Sequence, residues 1–165
     1  MRVAEIQTLY AYNSWATTAI LAATRRVSVA QFCAPASVPW GSLRGTLVHA
    51  LDTEWQGRAL VQRAGQVAPL HDDDFPDSAT LCVRWREEQR AMHAYLAELT
   101  DEDLAAPFAL GTRGALPLWE LLLHLITHGT QHRSEAAILL TDAGHSPGDL
   151  DYFFFAITRD AGSLG

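Results

Sequence analysis

An all-α four-helix bundle is the fold class the sequence predicts. Three observations predict it. Four stretches of roughly 20 residues repeat apolar side chains at steps of three and four, start and stop residues bound several of them, and the connections are of moderate length. The 165 residues amount to about one domain, so a single domain over residues 1–165 is expected. Hydrophobic residues at 48% against 19% charged supply a full core and exclude wholesale disorder.

The first helix runs from Arg2 to Arg26, with Ile6, Leu9, Tyr10, Asn13, Ala16, Ile20 and Leu21 at helical steps. Pro35 and Pro39 mark a break over Phe32 to Trp40. Ser42 then caps a second helix that reaches Arg63 and carries Leu43, Leu47, Leu51, Trp55 and Leu60. Gly65, Pro69, the run Asp72-Asp73-Asp74 and Pro76 form the next break. The acidic run reads as a solvated loop, because the spaced ligands, glycine and closing Glu of a calcium loop are missing. A third helix spans Ser78 to Leu99, with Leu81, Trp85, Met92, Leu96 and Leu99 on its stripe. Thr100 caps a short turn, and Phe108 to Pro117 reads as a small hairpin or ordered loop. The fourth long helix runs from Pro117 to Ala143 and is ended by Gly144. A short C-terminal helix over Asp149 to Arg159 holds Tyr152, Phe153, Phe154 and Phe155. The middle connections exceed what an up-down-up-down bundle needs, so at least one is expected to cross over.

Composition removes several functions. The net charge is −7 and all 12 basic residues are Arg. Without a lysine, Schiff-base chemistry and any P-loop are excluded. An acidic chain without a basic cluster makes a poor partner for a phosphate backbone, so no nucleic-acid partner is expected. Cys33 and Cys82 cannot form a disulfide framework and read as reduced thiols. No signal-peptide pattern and no 18-residue apolar run occur, so the expectation is a cytoplasmic protein with no membrane association.

The anomaly is histidine. Of seven, His124, His128 and His132 lie four apart on the fourth helix. Four residues turn an α-helix by about 400°, displacing each successive ring by only about 40°. All three project from one strip, and an i, i+4 pair lets one helix give two ligands to a single metal. On a helical wheel with His124 at zero, Leu118, Leu125, Ala136 and Ala143 fall near ~100–120°, His132 near ~80° and His128 near ~40°. An interior metal therefore favours His128 with His132 and leaves His124 at the rim. A further ligand must come from another element, and His49 is best placed by sequence. Its neighbours Thr46, Asp52, Thr53 and Gln56 could equally form a wet face or orient a ligand imidazole. A di-iron carboxylate bundle is excluded because Glu120 and His124 are four apart, and a zincin because no His-Glu-x-x-His occurs. The two cysteines lack structural-zinc spacing. A His-only set suits zinc or nickel, and three protein ligands leave a coordination position open.

The string Leu123-His124-Leu125-Ile126-Thr127-His128-Gly129-Thr130-Gln131-His132-Arg133 resembles the signature of the DinB-like (DNA-damage-inducible, YfiT-type) superfamily. Other marks agree in order: Tyr12-Asn13-Ser14-Trp15-Ala16, Ser42-Leu43 leading to His49 and Trp55, then Trp85, then Gly144-His145-Ser146-Pro147 with Asp149-Leu150-Asp151. The resemblance covers essentially the whole chain. It implies a bundle whose divalent metal is held by His49, His128 and His132, and a homodimer. Related branches are thiol-dependent transferases using bacillithiol or mycothiol, and some members are metal-dependent hydrolases. The family often continues His-Arg-Gly-Gln, whereas Arg133 is followed here by Ser134 and Glu135. Glu135 lies near the strip as an acceptor for a ligand N–H, a fourth ligand or a surface acid.

Three functions stay open on the sequence. The first is a metal-dependent thiol S-transferase acting on a small-molecule substrate with a low-molecular-weight thiol cosubstrate. The second is a metal-dependent hydrolase. The third is a metal-stabilised stress or binding protein without turnover. No Ser-His-Asp or Cys-His pattern is visible, so the metal would have to do the activation. Arg133 is the candidate to meet an anionic cofactor, although it projects about 100° away from His132.

Overall fold

Four long helices carry the architecture, and a computed structural model describes residues 1–161. They are α1 (Val3–Thr24), α3 (Leu43–Val61), α4 (Ser78–Ala97) and α6 (Leu118–Asp142), joined by the short α2 (Val29–Cys33) and α5 (Asp101–Ala105). A two-stranded antiparallel hairpin, β1 (Pro107–Ala109) with β2 (Ala115–Pro117), precedes α6 and pairs Phe108 with Leu116. Helix α7 (Tyr152–Ala161) closes the described chain.

Local chemistry sets the boundaries. Ser42 accepts the Gly45 N–H at 2.9 Å and starts α3. Asp77 does the same for α4 through Thr80 N–H at 2.9 Å. Thr100 and Asp103 form a reciprocal capping box on α5. Helix α6 stops because Gly144 adopts φ +82°, which turns its N–H back to Thr141 and that of His145 back to Leu140. Helix α2 lies between the first predicted helix and the proline-marked break, and only Phe32 and Cys33 fall within that break. Its five residues are too few to show a period, and its signal is the Ser28–Gln31 capping box.

Helix α6 packs against α1 and α3, and α4 packs against the same two. Consecutive long helices α1 and α3 therefore lie across a diagonal, and the connection through α2 is the expected crossover. Two apolar clusters fill the bundle. One gathers Ile20, Phe32, Leu47, Leu51, Leu81, Trp85 and Leu140. The other gathers Ile6, Tyr10, Met92, Leu96, Leu104, Phe108, Leu122 and Ile126. Between them, at mid-height on all four helices, sits a buried polar layer of Asn13, Thr17, Glu54, Glu88 and Arg133. Asn13 donates to Glu54 at 2.9 Å and accepts from Arg133, and Arg58 clasps both oxygens of Glu88. Every member has a partner, which is the condition for burying such groups.

The C-terminal aromatics divide between faces. Phe155 is buried against Tyr12 and Trp15, and Tyr152 meets Tyr12 edge-on at 5.3 Å. Phe153 and Phe154 remain exposed at 62% and 42%.

Candidate metal centre

The histidines lie on α3 and α6, the helices that also carry Glu54 and Arg133 of the polar layer. Helix α3 supplies His49 one turn after the buried Thr46. Helix α6 supplies His128 and His132 one turn apart, with His132 only 3% exposed and His128 and His49 half-buried. His128 Nε2 lies 3.1 Å from His49 Nε2 and 3.2 Å from His132 Nε2. Ligating atoms of the three rings all lie within 4.8 Å of one another.

The protonation pattern shows what this arrangement wants. Glu135 Oε2 lies 2.8 Å from His132 Nδ1, and an ionised carboxylate can only accept. The proton of neutral His132 therefore sits on Nδ1, and its Nε2 presents a bare lone pair to the cluster. His128 Nε2 can donate to one neighbour at most, so lone pairs face one another. Protonating His128 or His49 is disfavoured. Burial, then the neighbouring imidazoles of His132, His49 and His124, push the His128 pKa down to about 4. Burial, then His132, lowers His49. Three imidazole Nε2 atoms converging with too few protons to bridge both contacts fit a divalent cation.

Trp40 completes the frame. Its indole stacks on the His49 ring with centroids 3.6 Å apart and planes 15° from parallel. The placement depends on Gly41, whose φ of +71° reverses the chain between Trp40 and the α3 cap. Sequence reading set Trp40 in the loop after the first helix and missed this contact. The positive-φ glycine beside it was the available signal.

His124 is exposed, its ring 5.8 Å from that of His128, and it stays outside the converging set. Of the three readings of Glu135, the partner of His132 Nδ1 is the one the geometry shows. Arg133 is a correction. Only 3% exposed, it is bound to Asn13, Thr17 and Thr130, so it faces the polar layer rather than a bound anion. Gly129 makes room for it, since a Cβ there would lie 2.8 Å from Arg133 Nη1.

Beside the histidines lies a cleft of about 610 Å³ between α3, α6 and the loop after α3. His49, Asp52, Gln56 and His124 give it polar atoms, while Leu60, Val61, Val67, Leu121 and Leu125 give it apolar wall. Two bonds pin its loop: Leu70 N–H to Asp52 Oδ1 at 2.8 Å, and Trp55 Nε1–H to the Ala68 carbonyl at 3.1 Å. Of the wet face read around His49, Asp52, Thr53 and Gln56 line this cleft, whereas Thr46 is buried and donates its hydroxyl to the Ser42 carbonyl at 2.9 Å. Neither cysteine belongs to the converging set. Cys33 packs against the core cluster around Trp85, and buried Cys82 points its Sγ at the Leu21 carbonyl. Among the described residues, no helix is long and apolar enough to cross a membrane.

A family model described as "DinB family" matches residues 1–160, nearly the whole chain. The chain belongs to that family. No curated protein matches it.

Proposed function

We propose that this DinB-family chain holds one divalent ion, zinc or nickel, on His49, His128 and His132 and uses it as a thiol S-transferase on a small-molecule substrate. The observation that carries the reading is the convergence of three imidazole Nε2 atoms at 3.1 and 3.2 Å. A divalent ion held by three imidazoles with one open position supplies Lewis acidity, which lowers the pKa of a thiol or a water beside it.

The chain's own residues do the rest. Glu135 fixes the tautomer and tilt of His132, and Trp40 fixes the ring plane of His49. The apolar wall of the cleft sheds water from a bound electrophile. Among the described residues lining the cleft there is neither serine nor cysteine, which suits a nucleophile that arrives from outside the chain. A low-molecular-weight thiol cosubstrate meets that need, and the family's thiol-dependent branches support the choice. Two unpaired cysteines suit a reducing compartment, and we take it to be the cytoplasm. A nucleic-acid or membrane partner has no support in an acidic, lysine-free chain.

Purified protein should carry near-stoichiometric zinc or nickel by elemental analysis. His128→Ala or His132→Ala should abolish retention, and exposed His124→Ala should leave most of it. Full retention after His128→Ala would sink the centre. A panel of electrophiles with a low-molecular-weight thiol, run beside esters and amides without one, then tests the reaction. Turnover confined to the esters or amides would replace the transferase with a hydrolase.

A further inference from the structure

The cleft beside the histidines contains one carboxylate, Asp52, and neither Arg nor Lys among the described residues lining it. The arginines of the two helices that form it are engaged elsewhere. Arg58 clasps Glu88 at 2.5 and 2.9 Å and lies over the Trp55 ring. Arg44 faces Asp72 at 3.6 Å, and Arg133 is buried against Asn13. Arg63, just past α3, lies over the Phe108 ring at 5.3 Å. Asp52 itself has no ion pair among the described residues. It accepts from Leu70 N–H at 2.8 Å and from Gln56 Nε2 at 2.5 Å, both neutral donors. A carboxylate offers about four lone-pair positions, so acceptor capacity and a full negative charge remain.

We infer that the cleft takes a small amphiphile whose cationic nitrogen is met by Asp52 and whose apolar body lies against Leu60, Val61, Val67, Leu121 and Leu125. This deepens the proposed function, on which it rests, by naming the substrate class of the same centre. The chemistry is that of a protonated amine. An ammonium group leaving water needs a charged acceptor, and Asp52 is the one provided. A carboxylate or phosphate in the same place would face Asp52 with no counter-charge from the protein. Asp52 lies one turn after His49 on α3, so the recognised nitrogen and the reacting end of the ligand are held by one helix.

Three probes that share one phenylethyl body test this by calorimetry on the full chain: 2-phenylethylammonium, 2-phenylethanol and 3-phenylpropionate. Metal-stripped protein gives the clean comparison, because a carboxylate can bind a metal directly. The ammonium probe should bind about tenfold tighter than the alcohol, and tighter still than the carboxylate. Asp52→Asn keeps an acceptor for Leu70 N–H and should erase the preference. Leu60 is 48% exposed, so Leu60→Arg is tolerated by the fold and should invert the preference toward 3-phenylpropionate. Equal or tighter binding of the carboxylate, an ammonium preference surviving in Asp52→Asn, or no saturable binding of any probe would overturn the inference. Loss of the ammonium preference beside intact, His128-dependent metal content overturns the substrate class alone. An Asp52-dependent preference in a chain that retains no metal overturns the metal reading and leaves the cleft's selectivity standing.

Discussion

Gly57 sets how closely α3 approaches α6, and therefore where His49 stands relative to His128. A Cβ built on Gly57 would lie 2.5 Å from Leu125 Cδ2, 2.8 Å from Cδ1 and 3.2 Å from Cγ. Leu125 is 5% exposed and packs in the apolar cluster with Leu122 and Ile126, so the cleft it walls is the side toward which it can turn. Two effects oppose each other in Gly57→Ala. Alanine improves helix propensity by about 1 kcal/mol. Overpacking costs about 1–3 kcal/mol, and here it falls on three atoms of the single Leu125 side chain. The net expectation is a loss of up to ~2 kcal/mol, or up to roughly 8 °C in melting temperature for a chain of this size. Leu125→Ala alone should cost ~2–5 kcal/mol through its cavity. The double variant should cost less than the sum by at least ~1 kcal/mol, because the added methyl enters the space Leu125 leaves. Urea denaturation of the four proteins measures the cycle, and metal content should fall in Gly57→Ala. A Gly57→Ala protein more stable than the parent, or strict additivity, would refute the close approach.

Glu135→Gln should weaken metal binding by about 10–100-fold, as competition against a chromophoric chelator would show, because Gln no longer provides the anionic acceptor for His132 Nδ1–H; unchanged affinity would return Glu135 to the surface. In metal-free protein, His128 titrates at about 4 when folded, below its ordinary 6.5, so the unfolded chain takes up the proton first as pH falls. Its contribution is therefore full above pH 6.5 and is lost as pH falls toward 4, at no more than ~1.4 kcal/mol per pH unit and less for a partly exposed ring. Because burial raises Glu54 and works in the opposite direction, the difference between parent and His128→Gln is the quantity to follow; a difference flat from pH 7 to 5 would contradict the burial of the ring. We further propose a homodimer that covers Phe153 and Phe154, so sedimentation at micromolar concentration should give about twice 18.1 kDa, and Phe153→Ser with Phe154→Ser should shift it to monomer.

The long helices were legible because each repeats apolar residues over five or more turns, long enough for the 3.6-residue period to emerge. Ser42, Thr100 and Gly144 marked ends through chemistry that acts within four residues. His128 and His132 were legible for the same reason, since their convergence is set by one helix. His49 is different: its ring meets theirs only because α3 lies against α6, a packing that no local spacing encodes. Trp40 and the orientation of Arg133 escaped because each depends on tertiary placement, one on a glycine turn and the other on space beside Gly129. Leu60 was read with the apolar repeat of the second predicted helix, but it lines the cleft and is 48% exposed.

The polar layer explains why the centre sits at mid-height. Two apolar clusters alone would hold four helices together with fewer buried charges. Replacing buried ion pairs by apolar residues is often neutral or stabilising, so stability is weak grounds for Glu54, Glu88 and Arg133. Their contribution is position. Arg133 adjoins His132 in sequence and is tied to α1 through Asn13 and Thr17. Glu54 lies on α3 one turn and a half after His49 and takes the Asn13 amide at 2.9 Å. A slip of α6 by one residue against α1 or α3 would strand a guanidinium in the core, a cost of several kcal/mol. A leucine layer would tolerate such a slip far more cheaply. The layer thus fixes the rotation and height at which α3 and α6 present their imidazoles, and convergence to 3.1 and 3.2 Å depends on both.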